Sequence, residues 1–217
     1  MNLKDLNIVN AKAGDYAIKS WEGAKINAEK VTVTSSYGGS FYATGGEMVL
    51  TNCTAVQTGL HTAPYMSMAF AVSTNGKMTI NSGEYSATPV AESDASNQGT
   101  SHGSWCGGIM SSGGELIING GTFSNDNFGD NSLATYARSC IMVDAGGKLL
   151  INGGEFIALK NIIYLINNIG NPTLNPTASV TGGTFSKNPT VFDGYGKVVI
   201  PDGKSAVEGA DGRWTIQ

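Results

Sequence analysis

Apolar and polar residues alternate in short segments of this chain, and each segment ends in a similar signature of small residues. The segment 116–123 reads Leu-Ile-Ile-Asn-Gly-Gly-Thr-Phe, with apolar residues at alternate positions before the asparagine. Alternation at period two predicts a half-buried β-strand, and the paired glycines predict a sharp bend at its end. Related blocks begin at Leu6, Ile26, Met48, Met78, Leu116, Leu149 and Ala178.

The spacing of these blocks predicts a repeat fold. Successive blocks begin 20, 22, 30, 38, 33 and 29 residues apart, which is a short minimum repeat with insertions. A second apolar strand precedes nearly every block, so each repeat is expected to hold two or three short strands that stack in parallel on those of the next repeat. We therefore predict an all-β fold, a parallel β-helix of about seven coils with long loops on one side.

The whole chain, residues 1–217, is predicted to form a single domain. Residues 1–47 are interpreted as degenerate N-terminal coils, residues 48–186 as regular coils with loop insertions, and residues 187–217 as a C-terminal cap. An open end of stacked strands needs such a cap. Trp214 is expected to cover the open core there.

Stacked repeats also predict columns of like residues. One column is aromatic and contains Tyr85, Phe123, Phe156 and Phe185. The other contains Thr51, Asn81, Asn119, Asn152 and Thr181. Amide side chains in a column can hydrogen-bond along the stack, and aromatic rings can pack against one another. We interpret the asparagine column as a structural ladder inside the fold, with a ligand-binding ladder as the alternative.

Three long insertions interrupt the repeats, at residues 57–68, 87–107 and 125–139. Each follows the end of a block and precedes the next strand, so the three are expected to gather into one rim. Long loops on a rigid scaffold are where binding and catalysis concentrate. The residues of these insertions that could carry chemistry are His61, Tyr65, Glu92, Asp94, His102, Trp105, Asp126, Phe128, Asp130, Tyr136 and Arg138.

The composition of the rim indicates a sugar ligand. Aromatic rings stack on the faces of pyranose rings, and carboxylates accept hydrogen bonds from hydroxyl groups. The predicted ligand-binding residues are Tyr65, His61, His102, Trp105, Asp126, Asp130, Tyr136 and Arg138. The alternative for Trp105 and Tyr136 is that they anchor their own loops against the scaffold.

Catalysis is the second interpretation of the same rim. A glycoside hydrolase needs two carboxylates roughly 5–10 Å apart, and a uronic-acid lyase needs a basic residue. The residues that could serve are Glu92, Asp94, Asp126, Asp130 and Arg138. Outward-facing carboxylates on the strands would be a stronger signal, and Asp144 is the one residue we assign there. We therefore favour a non-catalytic protein and assign no catalytic residue.

Metal and disulfide chemistry have weak signals in this sequence. The two histidines lack an acidic partner at zinc-ligand spacing, so no metal and no cofactor are predicted. Calcium bound by Asp126 and Asp130 stays open as an alternative. Cys53 occupies the small position of a block and is expected to be a packed thiol. Cys106 and Cys140 enter neighbouring strands, so a disulfide between them also stays open.

Charge and hydropathy exclude several partners. Charged residues make up 14% of the chain, and Arg138 and Arg213 are its only arginines, with a net charge of −4. This composition argues against nucleic-acid binding, which needs clustered basic residues. Since the chain lacks a run of about 18 apolar residues, we predict no membrane insertion. The N-terminus does not read as a signal peptide, which leaves a trimmed chain or an export route such as a virus particle.

The motif Gly-Gly-Thr-Phe-Ser at 120–124 and 182–186 resembles the repeats of right-handed parallel β-helix proteins of the pectate-lyase-like class. The C-terminal segment, which ends in Asp-Gly-Arg-Trp-Thr-Ile, resembles repeat modules in surface proteins of gut Gram-positive bacteria and in tail and head proteins of their phages. The resemblance implies a right-handed helix and an exported or virion-borne scaffold that faces carbohydrate. No catalytic motif of the lyases or of polygalacturonase-type hydrolases is matched.

These observations favour an extracellular, adhesin-like module on a bacterial cell surface or a phage virion. Its loops would recognise a glycan or a host-surface protein. The alternatives are a polysaccharide-degrading enzyme that uses the same rim and a purely structural phage particle protein. The outward apolar residues Ile117, Met142, Tyr164 and Ile166 further predict a homo-oligomer such as a trimer, or assembly into a particle.

Overall fold

The computed structural model describes most of the chain, namely residues 1–11, 15–36, 38–57, 68–86, 106–110, 113–125, 139–144, 146–158, 161–165, 175–191, 193–194 and 196–217. Within these ranges the protein is all-β, with 22 strands and no helix. Consistent with this, the described residues include no helical segment that could cross a membrane. All strand pairs are parallel except the two pairs made by the C-terminal hairpin.

The larger sheet has two arms that meet at β3 (Lys25–Ser35). On one side β3 pairs with β1 (Asn2–Asn10) along its length. On its other side the first half of β3 begins the first arm, and the second half begins the second arm. The first arm continues through β5 (Glu47–Thr51), β8 (Lys77–Ile80), β11 (Glu115–Ile118), β14 (Lys148–Ile151), β17 (Thr177–Val180) and β20 (Lys197–Val199). The second arm continues through β6 (Cys53–Gln57), β9 (Gly83–Ser86), β12 (Thr122–Asn125), β15 (Glu155–Ala158) and β18 (Thr184–Phe185), and then through the hairpin strands β22 (Trp214–Ile216) and β21 (Ala206–Glu208).

A separate seven-stranded sheet completes the fold. Its strands are β2 (Tyr16–Ser20), β4 (Gly39–Thr44), β7 (Phe70–Ser73), β10 (Gly107–Ile109), β13 (Ile141–Val143), β16 (Ile163–Leu165) and β19 (Asp193–Gly194). From β4 to β18 the chain visits the seven-stranded sheet, the first arm and the second arm in that fixed order. We call one such set of three strands a level. Each strand of a level pairs in parallel with its equivalent in the next level.

The register of the first arm confirms the block alignment from Ile26 onward. Ile26 lies opposite Met48, and Met48 lies opposite Met78. The same row continues through Leu116, Leu149 and Ala178. All six side chains are buried. The apolar residue at the start of each block is therefore the inward-facing residue of a strand in the first arm.

The first block was assigned to the wrong residues. Leu6 lies opposite Val31, whereas Asn2 lies opposite Asn27, so the equivalent of Ile26 is Met1 and not Leu6. The error has a structural cause, because β1 and β3 pass through the bend without glycine. At this bend Asp5 and Lys30 adopt the left-handed backbone conformation, with φ of 52° and 53°. The glycine pair that marks later blocks is therefore missing.

Later levels bend at the second glycine of each pair. Gly121, Gly154 and Gly183 have φ values of 114°, 109° and 117°. Side chains with a Cβ rarely adopt these angles, whereas glycine adopts them without a steric penalty. The recurring Gly-Gly dipeptide thus marks the bend between the first and second arms.

The core lies between the two arms and the seven-stranded sheet. Four aromatic rings of the second arm stack in a column, with centroids 5.2 Å apart between Tyr85 and Phe123, 4.8 Å between Phe123 and Phe156, and 5.1 Å between Phe156 and Phe185. The predicted aromatic column is therefore confirmed. Cys53 is fully buried in the row of the bend glycines, and burial raises the pKa of its thiol. Cys53 is a packed thiol, as predicted.

The C-terminal hairpin lies against the last strand of the second arm. Trp214 is opposite Phe185 in an antiparallel pair, and its half-buried side chain packs against the core. Next to it, Arg213 forms an ion pair with Glu155. Trp214 therefore packs against the core beside the last strand of the second arm.

Candidate functional site

The side chains predicted to form the site lie outside the residues that the structure describes. These are His61, Tyr65, Glu92, Asp94, His102, Trp105, Asp126, Phe128, Asp130, Tyr136 and Arg138. The strands on either side of the insertions are described, however. They fix where each insertion leaves the second arm and where it enters the seven-stranded sheet.

The three insertions connect equivalent strands on consecutive levels. They follow β6, β9 and β12, which are neighbours in the second arm. They precede β7, β10 and β13, which are neighbours in the seven-stranded sheet. Since neighbouring strands lie about 4.8 Å apart, the three attachment points lie within roughly 10 Å of one another. The attachment points of the insertions therefore lie on one side of the scaffold, and the predicted rim itself lies outside the described residues.

Side chains at the bases of two insertions hold the ends of each loop together. The amide Nδ2 of Asn125 donates a hydrogen bond to the carbonyl oxygen of Ser139 at 2.8 Å, and both residues are buried. The thiol of Cys106 donates to the carbonyl oxygen of Tyr85 at 3.1 Å. A loop that begins and ends at such fixed points loses less conformational freedom on binding than a loop with mobile ends.

Backbone hydrogen bonds also join the bases to one another. The N–H of Ala69 donates to the carbonyl of Cys106 at 2.9 Å, and the N–H of Cys106 donates to the carbonyl of Cys140 at 3.0 Å. The N–H of Cys140 in turn donates to the carbonyl of Asn161. The returning ends of the insertions are therefore fixed relative to one another.

Cys106 and Cys140 are neighbours, as the sequence predicts. Both are fully buried. No disulfide joins them, and the Cys106 sulfur is a thiol that donates a hydrogen bond. These cysteines belong to the base of the insertions and are shielded from solvent.

The asparagine column forms a continuous ladder on the outside of the first arm. Asn152 donates to Asn119 at 2.9 Å, Asn119 donates to Asn81 at 2.9 Å, and Asn81 donates to the hydroxyl of Thr51 at 3.1 Å. The hydroxyl of Thr181 begins the ladder with a bond to Asn152 at 2.9 Å. The predicted structural ladder is confirmed. Its predicted position inside the fold is wrong, because the three asparagines are exposed.

A column of alternating charge runs beside this ladder, and the sequence analysis missed it. Lys25 contacts Glu47 at 3.0 Å and Lys77 contacts Glu115 at 2.9 Å, each across neighbouring strands. Lys148 occupies the next position of the row, opposite Glu115. The signal was available, since the residue before each of the five blocks from Ile26 to Leu149 alternates between lysine and glutamate. Opposite charges on neighbouring strands stabilise a sheet modestly.

This column corrects the assignment of outward carboxylates. The prediction that Asp144 is the one such residue is wrong, because Glu47, Glu84, Glu115 and Glu155 all lie at outward positions of strands. Glu47 and Glu115 are in the ion pairs just described, and Glu155 is bound by Arg213. These three carboxylates are accounted for by structural ion pairs.

The outward apolar residues are less exposed than predicted. Met142 is only 2% exposed, and Ile117 and Tyr164 are half-buried. Ile166 lies outside the described residues. Met142 clusters with Met68 and Ala71 on the seven-stranded sheet. The prediction of an exposed apolar surface is therefore wrong for Met142, since its neighbours already cover it.

Tyrosines extend this cluster towards the N-terminal end of the seven-stranded sheet. The rings of Tyr16 and Tyr42 are stacked with centroids 4.8 Å apart, and the Tyr16 hydroxyl donates to the sulfur of Met110 at 3.4 Å. Burial raises the pKa of Tyr16 well above its usual range. The outer face of this sheet thus carries a small apolar layer of its own.

Comparisons of the chain with protein-family models, with curated proteins and with solved structures found no match. Function must therefore be argued from the chain itself.

A concave surface lies at the C-terminal end of the described structure. It is a groove of about 290 Å³ beside Trp214, lined by Ser186, Lys187, Asn188, Val191 and Glu208. In the described ranges, no three histidine, cysteine or acidic residues gather as metal ligands would. The hydrogen-bonding groups of the asparagine ladder and the ion pairs of the charged column are used within the scaffold.

Proposed function

We propose that this chain is a non-catalytic recognition module whose three insertions, residues 57–68, 87–107 and 125–139, together bind a carbohydrate. The observation that carries the proposal is the stacking of the attachment points on consecutive levels, with their ends held by hydrogen bonds. Such an arrangement brings three loops of unrelated sequence onto one side of a rigid support. Binding sites are commonly built from loops on this kind of support.

The support itself is a right-handed parallel β-helix in this proposal. The fixed order in which the chain visits the seven-stranded sheet, the first arm and the second arm favours this assignment, as does the parallel pairing between equivalent strands. Right-handedness is expected because crossovers between parallel strands are right-handed in about 98% of cases. The Gly-Gly-Thr-Phe-Ser motif, which resembles repeats of right-handed β-helix proteins, supports the same assignment.

A non-catalytic role is supported by the state of the outward carboxylates. A catalytic acid or base needs a carboxylate that can reach the substrate, often with a pKa shifted by its surroundings. Glu47, Glu115 and Glu155 instead hold lysine or arginine on the scaffold. Glu84, which is exposed on the second arm, and the carboxylates of the insertions are the remaining candidates for catalysis.

The choice of carbohydrate rests on the composition of the insertions. Trp105, Tyr136 and Tyr65 offer aromatic faces, while Asp126 and Arg138 offer hydrogen bonds to hydroxyl or carboxylate groups. This mixture suits a sugar better than an apolar ligand. The resemblance to repeat modules of bacterial surface proteins and phage particles supports placement on a cell surface or a virion.

The test is binding of the full chain to an array of plant, mucin and bacterial cell-wall glycans. Trp105→Ala and Tyr136→Ala should each weaken binding about tenfold or more, because a stacked aromatic ring commonly contributes more than about 1 kcal/mol. Trp21→Ala is the matched control, since Trp21 is 62% exposed and lies outside the insertions. It should leave affinity unchanged.

Three outcomes would contradict the proposal. If the chain binds no glycan on the array, the ligand is not a carbohydrate of these classes. If Trp21→Ala weakens binding as much as Trp105→Ala does, the insertions are not the binding site. Release of reducing ends or unsaturated sugars from a bound polysaccharide would show an enzyme. In that case Asp126→Asn and Asp130→Asn, which keep the size of each side chain, identify the carboxylates on which turnover depends.

A further inference from the structure

The N-terminal end of the scaffold differs from the C-terminal end. At the C-terminal end the second arm is closed by the antiparallel hairpin β21–β22. At the N-terminal end β1 pairs with β3 on one side only, among the residues that the structure describes. The strand β1 is nine residues long, so it presents a long edge of backbone N–H and C=O groups. Such edges pair readily with a further strand.

The apolar side chains behind this edge are exposed although they occupy inward positions. Met1 and Leu6 are 75% and 39% exposed, and Leu3 and Ile8 are half-buried. The residues opposite them on β3 are Ile26, Ala28, Val31 and Val33, and all four are buried. The described residues therefore leave the core uncovered at β1. An exposed apolar surface of this kind usually marks a contact.

The sequence of β1 is complementary to itself when it runs antiparallel to a second copy. In the register that sets Leu3 opposite Leu6 of the other copy, Met1 lies opposite Ile8. In the same register Lys4, which contacts Glu29 of its own chain at 3.1 Å, lies opposite Asp5, so this ammonium is shared between two carboxylates at the bend. Because the arrangement has two-fold symmetry, each of these pairs forms twice.

Neighbouring registers lack this match. A shift of one residue sets inward side chains opposite outward ones, which a pleated sheet does not tolerate when one face is buried. A shift of two residues can set the carboxylate of Asp5 opposite Leu6. The bend at Asp5 also favours the matched register. In that register the two-fold axis passes beside the bend, so the bends of the two paired strands coincide.

We propose that two copies of this chain associate end to end through antiparallel pairing of β1 with β1, with Leu3 opposite Leu6 and Lys4 opposite Asp5. In this pairing the uncovered core residues of one copy lie against those of the second copy. It is independent of the three insertions and of any carbohydrate they bind. The dimer therefore displays two sets of insertions, one on each half.

Light scattering of the full chain tests the stoichiometry. The expected mass is about twice the 22.5 kDa of one chain. Leu6→Lys should return the mass to that of one chain, because it places a charge inside the paired stretch. Val9→Lys is the matched control, since Val9 is exposed on β1 and lies beyond the matched pairs. This variant should stay dimeric. A wild-type mass of one chain, or of three, overturns the proposal.

Cysteine cross-linking tests the register without relying on a destabilising change. Asn2 and Asn7 lie opposite each other in the proposed pairing, at a Cβ separation of about 5 Å. A mixture of Asn2→Cys and Asn7→Cys chains should form a disulfide-linked dimer on oxidation, and neither variant alone should do so. The native cysteines are buried, so the unmodified chain serves as the blank. Equal cross-linking by either variant alone overturns the register.

Discussion

The amide Nδ2 of Asn119 donates a hydrogen bond to Oδ1 of Asn81 at 2.9 Å, and this contact is one rung of a ladder that points in a single direction. Every rung, from Thr181 to Thr51, donates towards the N-terminal end. Each asparagine in the middle therefore uses its nitrogen for the level before it and its oxygen for the level after it. The ladder links successive levels on the outside of the fold, where the chain bends.

Loss of one middle rung should break two hydrogen bonds at once. Asn119→Ala is expected to lower the free energy of unfolding by about 1–2 kcal/mol, since a net intramolecular hydrogen bond contributes about 1 kcal/mol or less when exposed. Thr79→Ala, at a half-buried outward position of the same sheet, is the control and should lower the free energy of unfolding by less. Urea unfolding measures both. Equal costs would mean that the ladder adds nothing to stability.

Alkaline pH should destabilise the fold through Tyr85. Burial raises the pKa of the Tyr85 phenol well above its usual range. The folded state therefore keeps the proton after the unfolded chain has lost it. The contribution of Tyr85 to stability is fully present below about pH 10, and above that pH it should fall by roughly 1.4 kcal/mol per pH unit. Urea unfolding from pH 8 to 11 measures the slope, and Tyr85→Phe should make it shallower by about that amount.

An unchanged slope in Tyr85→Phe would exclude this tyrosine as the source. Cys53 and Tyr16 should account for the slope that is left, because burial raises the pKa of each. The Cys53 contribution should begin lower, near the ordinary thiol pKa of about 8.5.

Two buried serines should respond in opposite ways to the same substitution. The hydroxyl of Ser20 is fully buried and has no hydrogen-bond partner within the described structure. The equally buried hydroxyl of Ser35 donates to the carbonyl of Gly38 at 2.6 Å. Ser20→Ala should therefore stabilise the protein by about 1 kcal/mol, whereas Ser35→Ala should destabilise it by about 1–2 kcal/mol. Thermal unfolding distinguishes them, and a destabilised Ser20→Ala variant would contradict the assignment.

The C-terminal hairpin should depend more on Trp214 than on Arg213. Trp214 packs against the core, and Arg213 forms a half-exposed ion pair with Glu155. Trp214→Ala is expected to cost about 2 kcal/mol, roughly half the cost of removing a fully buried aromatic side chain. Arg213→Ala should cost less than about 1 kcal/mol. Hydrogen exchange of the amides of β18 gives the readout, and a larger effect of Arg213→Ala would reverse this order.

The repeat register was predictable from the sequence wherever glycine makes the bend. The Gly-Gly pair is a sequence signature by which blocks can be aligned, as in the blocks at Leu116 and Leu149. The first strand offers no such signature because Asp5 makes the bend with an ordinary side chain, and unlike the block at Ile26, which bends at Lys30, it was aligned wrongly. Its φ of 52° is a property of the folded chain that no local pattern announces.

The outward position of the asparagines was also predictable, although it was missed. Ile118 faces inward and Asn119 is the next residue, so strict alternation places its amide outside. The insertions are different, because their sequences have no periodicity that relates side chains to a strand. For these segments the sequence predicts where the loops begin and end, and it indicates a ligand class by composition only.

Short connections lie on either side of the insertions along the stack. The passage before them consists of residues 36–38, and the passage after them of residues 159–162. The three insertions are thus bounded along the stack, with attachment points that span about 10 Å. Under the proposed function, affinity for an oligosaccharide should rise with the first few sugar units and then level off. The protein would bind a short segment of a glycan and would not slide along a polymer.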